Sequence, residues 1–466
     1  MSSKSYLQQT PRTLVNQFLL RNFRLAYRVS NWTRRRFTRA GQLVLAGIVA
    51  SGALGVDTEL TLAYQAFTLL VALLLVGAIS GVFYGPRFRV SRQLPPFGTV
   101  GQVLTYRINV ANLSHKTQCD LALMENVDAK FPSSAELKRI RQPGEEHQNW
   151  FDRLVGYPRW AWWLRQRRGV DISEHAMAPI PAGKDTELAV TMTPLRRGYV
   201  RFSGAIIARP DPFGLCRAFA KMVAQDTLLV LPRRYPVPQI QLAGSRRYQQ
   251  GGVALASSVG DAQEFFALRD YLPGDPLRHI HWRTWARQGK PVVKKYQDEY
   301  FVRHALILDT FIDTLASPVF EDAVSAAASL AYSIQQQDAL LDLMFVGTEA
   351  YRFTMGRSLS SIDNMIEILA CVEPCLDKPF AELQQLVTHH ATQLSGAVCI
   401  LLAWDETRQA FVEVLRRMGI PLLVLMVADE AAFAELAPGP LSDQPQHFHL
   451  LKTGHLEEGL AALGRK

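Results

Sequence analysis

The five cysteines of this 466-residue chain (Cys119, Cys216, Cys371, Cys375 and Cys399) include no C-x-x-C pair. Cys371 and Cys375 are separated by Val-Glu-Pro, with no second pair at zinc spacing. Neither a disulfide framework nor a zinc ribbon is indicated, and a reducing compartment is the simpler reading. Acid is missing from the first forty residues, which carry nine Arg or Lys and no Asp or Glu. Without those nine, 42 basic residues face 42 acidic ones, so the net charge of +9 belongs to the N-terminus. A balanced remainder argues against a nucleic-acid-binding surface there. Also lacking are a nucleophile elbow, a phosphate loop and any metal-ligand set placed by spacing.

Charge is absent from two apolar runs, Gly41–Val56 and Leu60–Tyr84. The second exceeds the roughly 20 residues that span a bilayer. The first reaches that length only if residues 37–40 join it, with Arg39 snorkelling to the headgroups. Asp57 and Glu59 mark the turn between them. Arg34, Arg35, Arg36 and Arg39 precede the pair, and Arg87, Arg89 and Arg92 follow it. The positive-inside rule makes this a hairpin with both ends cytoplasmic. A cleaved signal peptide is disfavoured, because the basic region is long, no A-x-A site follows and a second apolar run comes at once. Upstream, Thr13–Trp32 mixes Leu, Phe and Tyr with Arg at helical spacing. Two readings stay open for it: a helix on the inner membrane face, or a solvated basic tail.

Residues 88–235 alternate apolar and polar at period two, with Gly or Pro about every ten residues, as in an immunoglobulin-like β-sandwich. One insertion departs from that style. Asn149–Gly169 carries four of the eight Trp and five Arg, and reads either as a satellite core or as a stretch at a membrane interface. From Arg303 the pattern changes to short apolar strands alternating with helices at Val319–Gln337, Ser360–Val372, Ala381–Thr392 and Glu406–Met418. This predicts a doubly wound α/β sheet whose strand ends carry Asp309 and Asp405.

Between these regions lies "DYLPGDPLRHIHWRTWARQGK" (Asp270–Lys290). Leu-Pro-Gly-Asp predicts a turn, and "RHIHW" predicts a strand with His279 and His281 on one face. The string Glu264-Phe265, Leu268-Arg269, Tyr271, Pro273-Gly274-Asp275, Arg278, Ile280, Trp282, Ala286-Arg287 resembles the signature of the "domain of unknown function 58" family. So do its companions: the apolar hairpin, Arg196–Phe202, Asp211–Leu215 and "LLVLPRR" before the motif. Trp285 stands where that family has a small residue, Asp270 replaces Glu, and His279 falls at a variable position.

The resemblance implies an inner-membrane protein with a C-terminal von Willebrand factor A-like domain, acting with a MoxR-type AAA+ ATPase in maturation of envelope or metal-dependent complexes. Such a domain holds Mg²⁺ through Asp-x-Ser-x-Ser with a distant Thr and Asp. Here the element is Asp309-Thr310-Phe311-Ile312-Asp313, and Phe311 cannot ligate. Asp309, Asp313 and Asp405 remain as a degenerate set, so the expected cofactor is none, with Mg²⁺ as the alternative.

The expected organisation is a basic segment over 1–36, a transmembrane hairpin over 37–85 and the sandwich over 86–238. The signature segment follows over 239–300, and the α/β domain over 301–466. The expected function is that of a membrane-tethered interaction protein rather than an enzyme, its partners being the ATPase and membrane lipid, with no nucleic acid. Arg269, Arg278 or Arg287 would pair with Glu264 or Asp275 to buckle the sandwich to the α/β domain. The alternatives are a hydrolase using His281 with Asp275 or Asp270, and a nucleic-acid module built on Trp282 and its neighbouring Arg.

Overall fold

The computed structural model describes residues 11–54, 61–82, 84–85, 87–238, 265–273, 275, 277, 280–296, 303–335, 340–356, 359–430 and 437–464. Its mixed α/β architecture divides into two compact units. The first comprises residues 1–235 with 311–328 and 366–377; the second comprises 236–310, 329–365 and 378–466.

The first unit begins with three helices, α1 (Pro11–Arg36), α2 (Arg39–Leu54) and α3 (Thr61–Val82). Within α3, Leu62–Gly81 has a mean hydropathy of 2.2 and is only 6% buried, long and apolar enough to cross a membrane. It alone among the described helices meets that description. α2 packs antiparallel on it, Gly47 facing Leu70 and Gly52 facing Phe67. The base of this pair is tied to the Asp211–Leu215 turn. Thr38 N–H donates to Leu215 O at 3.0 Å, and a Cβ at Gly41 or Gly77 would collide with the Leu215 carbonyl or the Asp211 carboxylate. Glycine at both positions is therefore a condition of the close approach.

A two-sheet β-sandwich follows. One sheet orders β1 (Phe88–Gln93), β3 (Leu104–Asn112), β7 (Asp185–Pro194) and β5 (Val170–Ile172). The other orders β2 (Phe97–Thr99), β9 (Arg217–Leu231), β8 (Gly198–Pro210), β4 (Leu121–Val127) and β6 (His175–Met177). The inward residues predicted by the period-two pattern, among them Ile108, Val190, Ile207 and Leu228, form one shared core.

Arg92 does not flank the apolar helices as the charge pattern suggested. Its side chain is fully buried, bonded to both oxygens of Glu125 at 2.9 and 2.6 Å and to Asp226 at 2.9 Å. Burial opposes this charge, but the two carboxylates outweigh it and raise the Arg92 pKa. β1 has to pair with β3 in register, which turns Arg92 inward to meet Glu125 of the facing sheet.

After the short helix α4 (Ser134–Lys138), the Trp-rich insertion forms α5 (Trp150–Val155) and α6 (Tyr157–Arg168). Trp160, Trp163 and Leu164 of α6 are buried, and Trp160 and Leu164 form a satellite core with Leu20 and Phe23 of α1. Phe131 and Tyr157 stack on either side of Trp160, each with its ring centroid 6.0 Å away. The α6 part of the insertion is thus a satellite core, while Trp150, Phe151 and Leu154 of α5 stay exposed. α1 is likewise part covered and part open: Leu20 and Phe23 pack on α6, while Leu25, Val29 and Trp32 are exposed.

The second unit holds the hairpin of β10 (Phe265–Asp270) and β11 (Val292–Tyr296), with α7 (Trp282–Gln288) between them. Its main sheet has six strands in the order β14 (Ala350–Met355), β13 (Leu340–Val346), β12 (Arg303–Leu308), β15 (Gly396–Leu401), β16 (Leu422–Ala428) and β17 (Phe448–Lys452). All pairs are parallel except β13 with β14. Strand order reverses between β12 and β15, the point where such sheets open a crevice at their carboxyl ends. Helices α8 (Pro318–Gln335), α9 (Leu359–Cys371), α10 (Ala381–His390) and α11 (Glu406–Arg417) fall where the periodicity placed them.

Candidate functional site

Asp309 follows β12 directly at this reversal, fully buried, and its N–H donates to Ile400 O of β15 at 2.9 Å. Asp405 caps α11, its Oδ1 accepting from Arg408 N–H at 2.9 Å. One turn into that helix, Arg408 points back between the two carboxylates. Its Nε donates to Asp309 Oδ2 at 2.6 Å and its Nη1 to Asp405 Oδ2 at 2.6 Å. Asp309 Oδ2 also accepts from Leu402 N–H at 3.1 Å. The guanidinium lies 4.8 Å over the Phe380 ring, which meets Phe411 edge-on. Burial works against the charge on Arg408, yet Asp309 and Asp405 outweigh it and hold its pKa above the ordinary arginine value.

A guanidinium thus stands where the degenerate set would place a divalent cation. Asp309 and Asp405 do come together, as their positions at strand ends implied. The oxygen of each that faces the crevice is taken by Arg408, so the residues present do not fit Mg²⁺, which needs several free oxygen ligands. Asp313 belongs to the first unit and is exposed. No group of three or more His, Cys, Asp or Glu side chains able to hold a metal assembles among the described residues. Spacing reasoning passed over Arg408, although Asp-x-x-Arg at the start of a helix puts the guanidinium within reach of its own cap.

The signature hairpin is built differently. Arg269 forks onto Asp275, Nη1 to Oδ2 at 2.7 Å and Nη2 to Oδ1 at 2.6 Å. Asp275 Oδ2 also accepts from Leu272 N–H at 2.9 Å, and Asp275 N–H donates to Leu272 O at 3.0 Å. The pair therefore ties Arg269 of β10 to the turn that follows Tyr271. Tyr271 N–H donates to Pro291 O at 3.0 Å. Of the strand expected for "RHIHW", Arg278 and His279 lie outside the described residues, and Ile280 bridges to Val293. α7 takes over at Trp282 because His281 N–H reaches Val292 O and its ring meets Thr284 Oγ1 at 2.6 Å, turning the chain. Asp275 and His281, paired in the hydrolase reading, are thus engaged with different partners. Trp282 and Trp285 stack at 5.2 Å, and Trp282 remains 62% exposed. Arg287 is exposed on α7, and Phe265 opens β10. Glu264, Gly274 and Arg278 lie outside the described residues.

A buried arginine that does join distant parts of one unit comes from the companion segment Arg196–Phe202. Arg197 donates from Nη2 to Val372 O at 2.6 Å and from Nε to Leu369 O at 3.3 Å, and forms an ion pair with Glu321. Its guanidinium lies 5.0 Å over Phe320. Leu369 belongs to the last turn of α9, whose carbonyls lack helical partners, so a cation is favoured there. Beside it, Tyr199 OH donates to Glu367. Residue spacing did not single out Arg197, because its partners lie more than a hundred residues away.

Residues 267–428 match the family model described as "Protein of unknown function DUF58". The stretch holds Arg269, Tyr271, Asp275, Trp282, Arg287, Asp309, Asp313, Asp405 and Arg408, while Arg197, the sandwich and the apolar helices lie before it. The chain is also 28% identical over 177 residues to "Uncharacterized protein YeaD" of Bacillus subtilis (strain 168), covering 37% of this chain and 42% of that protein. It thus aligns with less than half the length of this curated relative. Among solved structures it is similar to the CARDB domain of a Pyrococcus furiosus protein, at 13% identity and a TM-score of 0.17 over 32% of this chain and 91% of that one. It is also similar to Salmonella alpha-2-macroglobulin reacted with methylamine, at 15% identity and a TM-score of 0.18 over 34% and 9%. Scores this low leave both likenesses without consequence for the chain's function.

Proposed function

We propose that this chain is a membrane-anchored interaction protein, working with a MoxR-type AAA+ ATPase in the assembly or maturation of envelope or metal-dependent complexes. One observation carries the reading. At the reversal of the parallel sheet, where such folds take ligands, the protein's own Arg408 fills the crevice between Asp309 and Asp405. A von Willebrand factor A-like domain closed in this way offers a rigid face to a protein and no open cation. Support for the anchor comes from Leu62–Gly81, apolar and scarcely buried by the protein. With α2 it would form a two-pass hairpin of the inner membrane, both termini and the soluble domains being cytoplasmic. The exposed Trp282, backed by Trp285, suits a docking face in the signature hairpin.

The test is co-elution of the detergent-purified full chain with the MoxR-type ATPase encoded in the same genome, with and without nucleotide. A complex that weakens when Trp282 is replaced by Ala is expected. Independent elution under every nucleotide condition overturns the partnership. Reporter fusions at Gly85 and Lys466 are both expected to read cytoplasm, and a periplasmic signal from either refutes the topology.

A further inference from the structure

The first unit contains a second charged site of opposite character. Between the later half of α1 and strands β8 and β9 lies a cavity of about 810 Å³, within the size range of small-molecule sites. Arg28, Arg35, Arg36 and Lys221 line it, and no Asp or Glu does. The three arginines fall at i, i+7 and i+8, on one face of the helix. Trp32, Phe131, Phe219 and Met222 supply its apolar walls. Arg28 lies over Phe131 at 5.5 Å and Arg36 over Phe219 at 5.4 Å, fixing both guanidinium groups at the rim.

None of these four cations takes part in an ion pair among the described residues. That sets them apart from Arg92, Arg197 and Arg408, each buried and each held by at least one carboxylate. Arg35 is half-buried, and burial together with the nearby Arg168 lowers its pKa. Arg28 and Lys221 are exposed and Arg35 and Arg36 half-buried, so the group forms an open positive cleft with no carboxylate in its lining, a field that draws an anion.

The surroundings identify the anion's class. Phe219 directly follows Ala218, which packs on Gly81 at the end of the apolar run in α3. Arg36 directly precedes Phe37, which bridges to Cys216 and leads into α2. The cavity therefore sits beside the end of the apolar helices, where a bilayer's headgroups would lie. We propose that it binds an anionic glycerophospholipid, with the phosphate held by Arg35, Arg36 and Lys221 and the first acyl carbons against Trp32 and Phe219. The lipid assignment rests on the membrane-anchored reading above; the preference for a phosphate anion does not.

The test uses the full chain purified in a neutral detergent, with phosphatidylglycerol or phosphatidylcholine added and bound lipid read by native mass spectrometry. The wild type is expected to prefer phosphatidylglycerol, and Arg35→Gln with Lys221→Gln to bind it about tenfold more weakly, the loss of one or two charge-assisted hydrogen bonds. Arg35→Lys should restore part of the preference. Should the double variant fail to match the wild type's lipid-free unfolding midpoint, Lys221→Glu, on an exposed strand position, is read instead and is expected to lose the preference. Equal affinity of wild type and variant for phosphatidylglycerol, or no preference over phosphatidylcholine, overturns the site. Glycerol 3-phosphate competing as strongly as the lipid overturns the lipid source. Alkaline carbonate extraction separates this from the anchor: release of the wild type from membranes refutes anchoring, whereas retention of a variant that has lost its lipid preference is the expected result.

Discussion

Arg408 and Arg269 make almost the same bonds and do different work. Each donates twice to carboxylate oxygens, at 2.6 Å in both bonds for Arg408 and at 2.7 and 2.6 Å for Arg269. The Arg408 side chain is 8% exposed and faces a fully buried Asp309, whereas Arg269 is 40% exposed and faces Asp275 at 15%. At Asp309 water cannot replace a lost partner, although it reaches the half-exposed Asp405; at Arg269 it can. Burial, not bond geometry, separates a structural linchpin from a turn lock.

The largest effect is therefore expected at Arg408. Arg408→Ala leaves Asp309 charged and buried without its cation, a loss on the order of 3–5 kcal/mol. Chemical unfolding of the full chain measures it, and a loss no larger than that of a surface substitution would break the comparison. The same geometry predicts no heat when Mg²⁺ is titrated into the wild type at millimolar concentration. Metal-dependent stabilisation of the wild type would mean that Arg408 swings aside.

Arg197 comes next. Its partners are two backbone carbonyls and Glu321, whose side chain is 42% exposed. Removing it strands fewer buried charges than at Arg408, and Arg197→Ala should cost about 2 kcal/mol, the range of hydrogen bonds to a charged group. Arg197→Lys keeps the charge but loses the fork, so an intermediate loss is expected. If both variants unfold like the wild type, the segment Arg196–Phe202 does not hold residues 366–377 in place.

These sites also mark how far the sequence could be read. The strands and helices after Arg303 were legible because buried parallel strands and amphipathic helices each imprint a period that needs no partner to recognise. The inward faces of the sandwich were legible for the same reason. Asp309 and Asp405 were found because strand ends are countable. What stayed hidden depends on distant pairing. Arg92 read as a membrane flank until Glu125, thirty-three positions on, drew it into the sandwich core. Trp160 could be assigned to core only once α1 lay over it. For "RHIHW" the periodicity ran a strand through Trp282, whereas Trp282 opens α7, and the contact of the His281 ring with Thr284 at that start leaves no trace in residue spacing.

A third effect, smaller than either arginine loss, belongs to pH. His304 is buried in β12, and burial lowers its pKa below the usual histidine value, a bond to the backbone of Gly396 opposing only in part. The folded state keeps the ring neutral, while the unfolded chain takes up a proton below about 6.5. Stability from this group is thus complete above that pH and is lost as the pH falls toward the depressed folded value. His390 and His449 shift in the same direction, so His304→Leu should make the acid limb of a stability–pH curve shallower without removing it. An unchanged limb would show that His304 contributes nothing to it.

The smallest effect is expected where the sequence promised a large one. As a buried buckle, Asp275 would be costly to remove. As the structure has it, Asp275→Ala frees an arginine that water can solvate, and exposed pairs of this kind contribute little. What Asp275 does hold is the turn after Tyr271, through Leu272 N–H, so the hairpin should loosen locally while the unfolding midpoint of the full chain stays within measurement scatter. Hydrogen exchange separates the two readings: faster exchange confined to residues 270–273, with β12 and β15 unaffected, is the result of a turn lock. Faster exchange spreading into the main sheet would show that the hairpin supports it, and that exposure alone is a poor guide to what an ion pair holds.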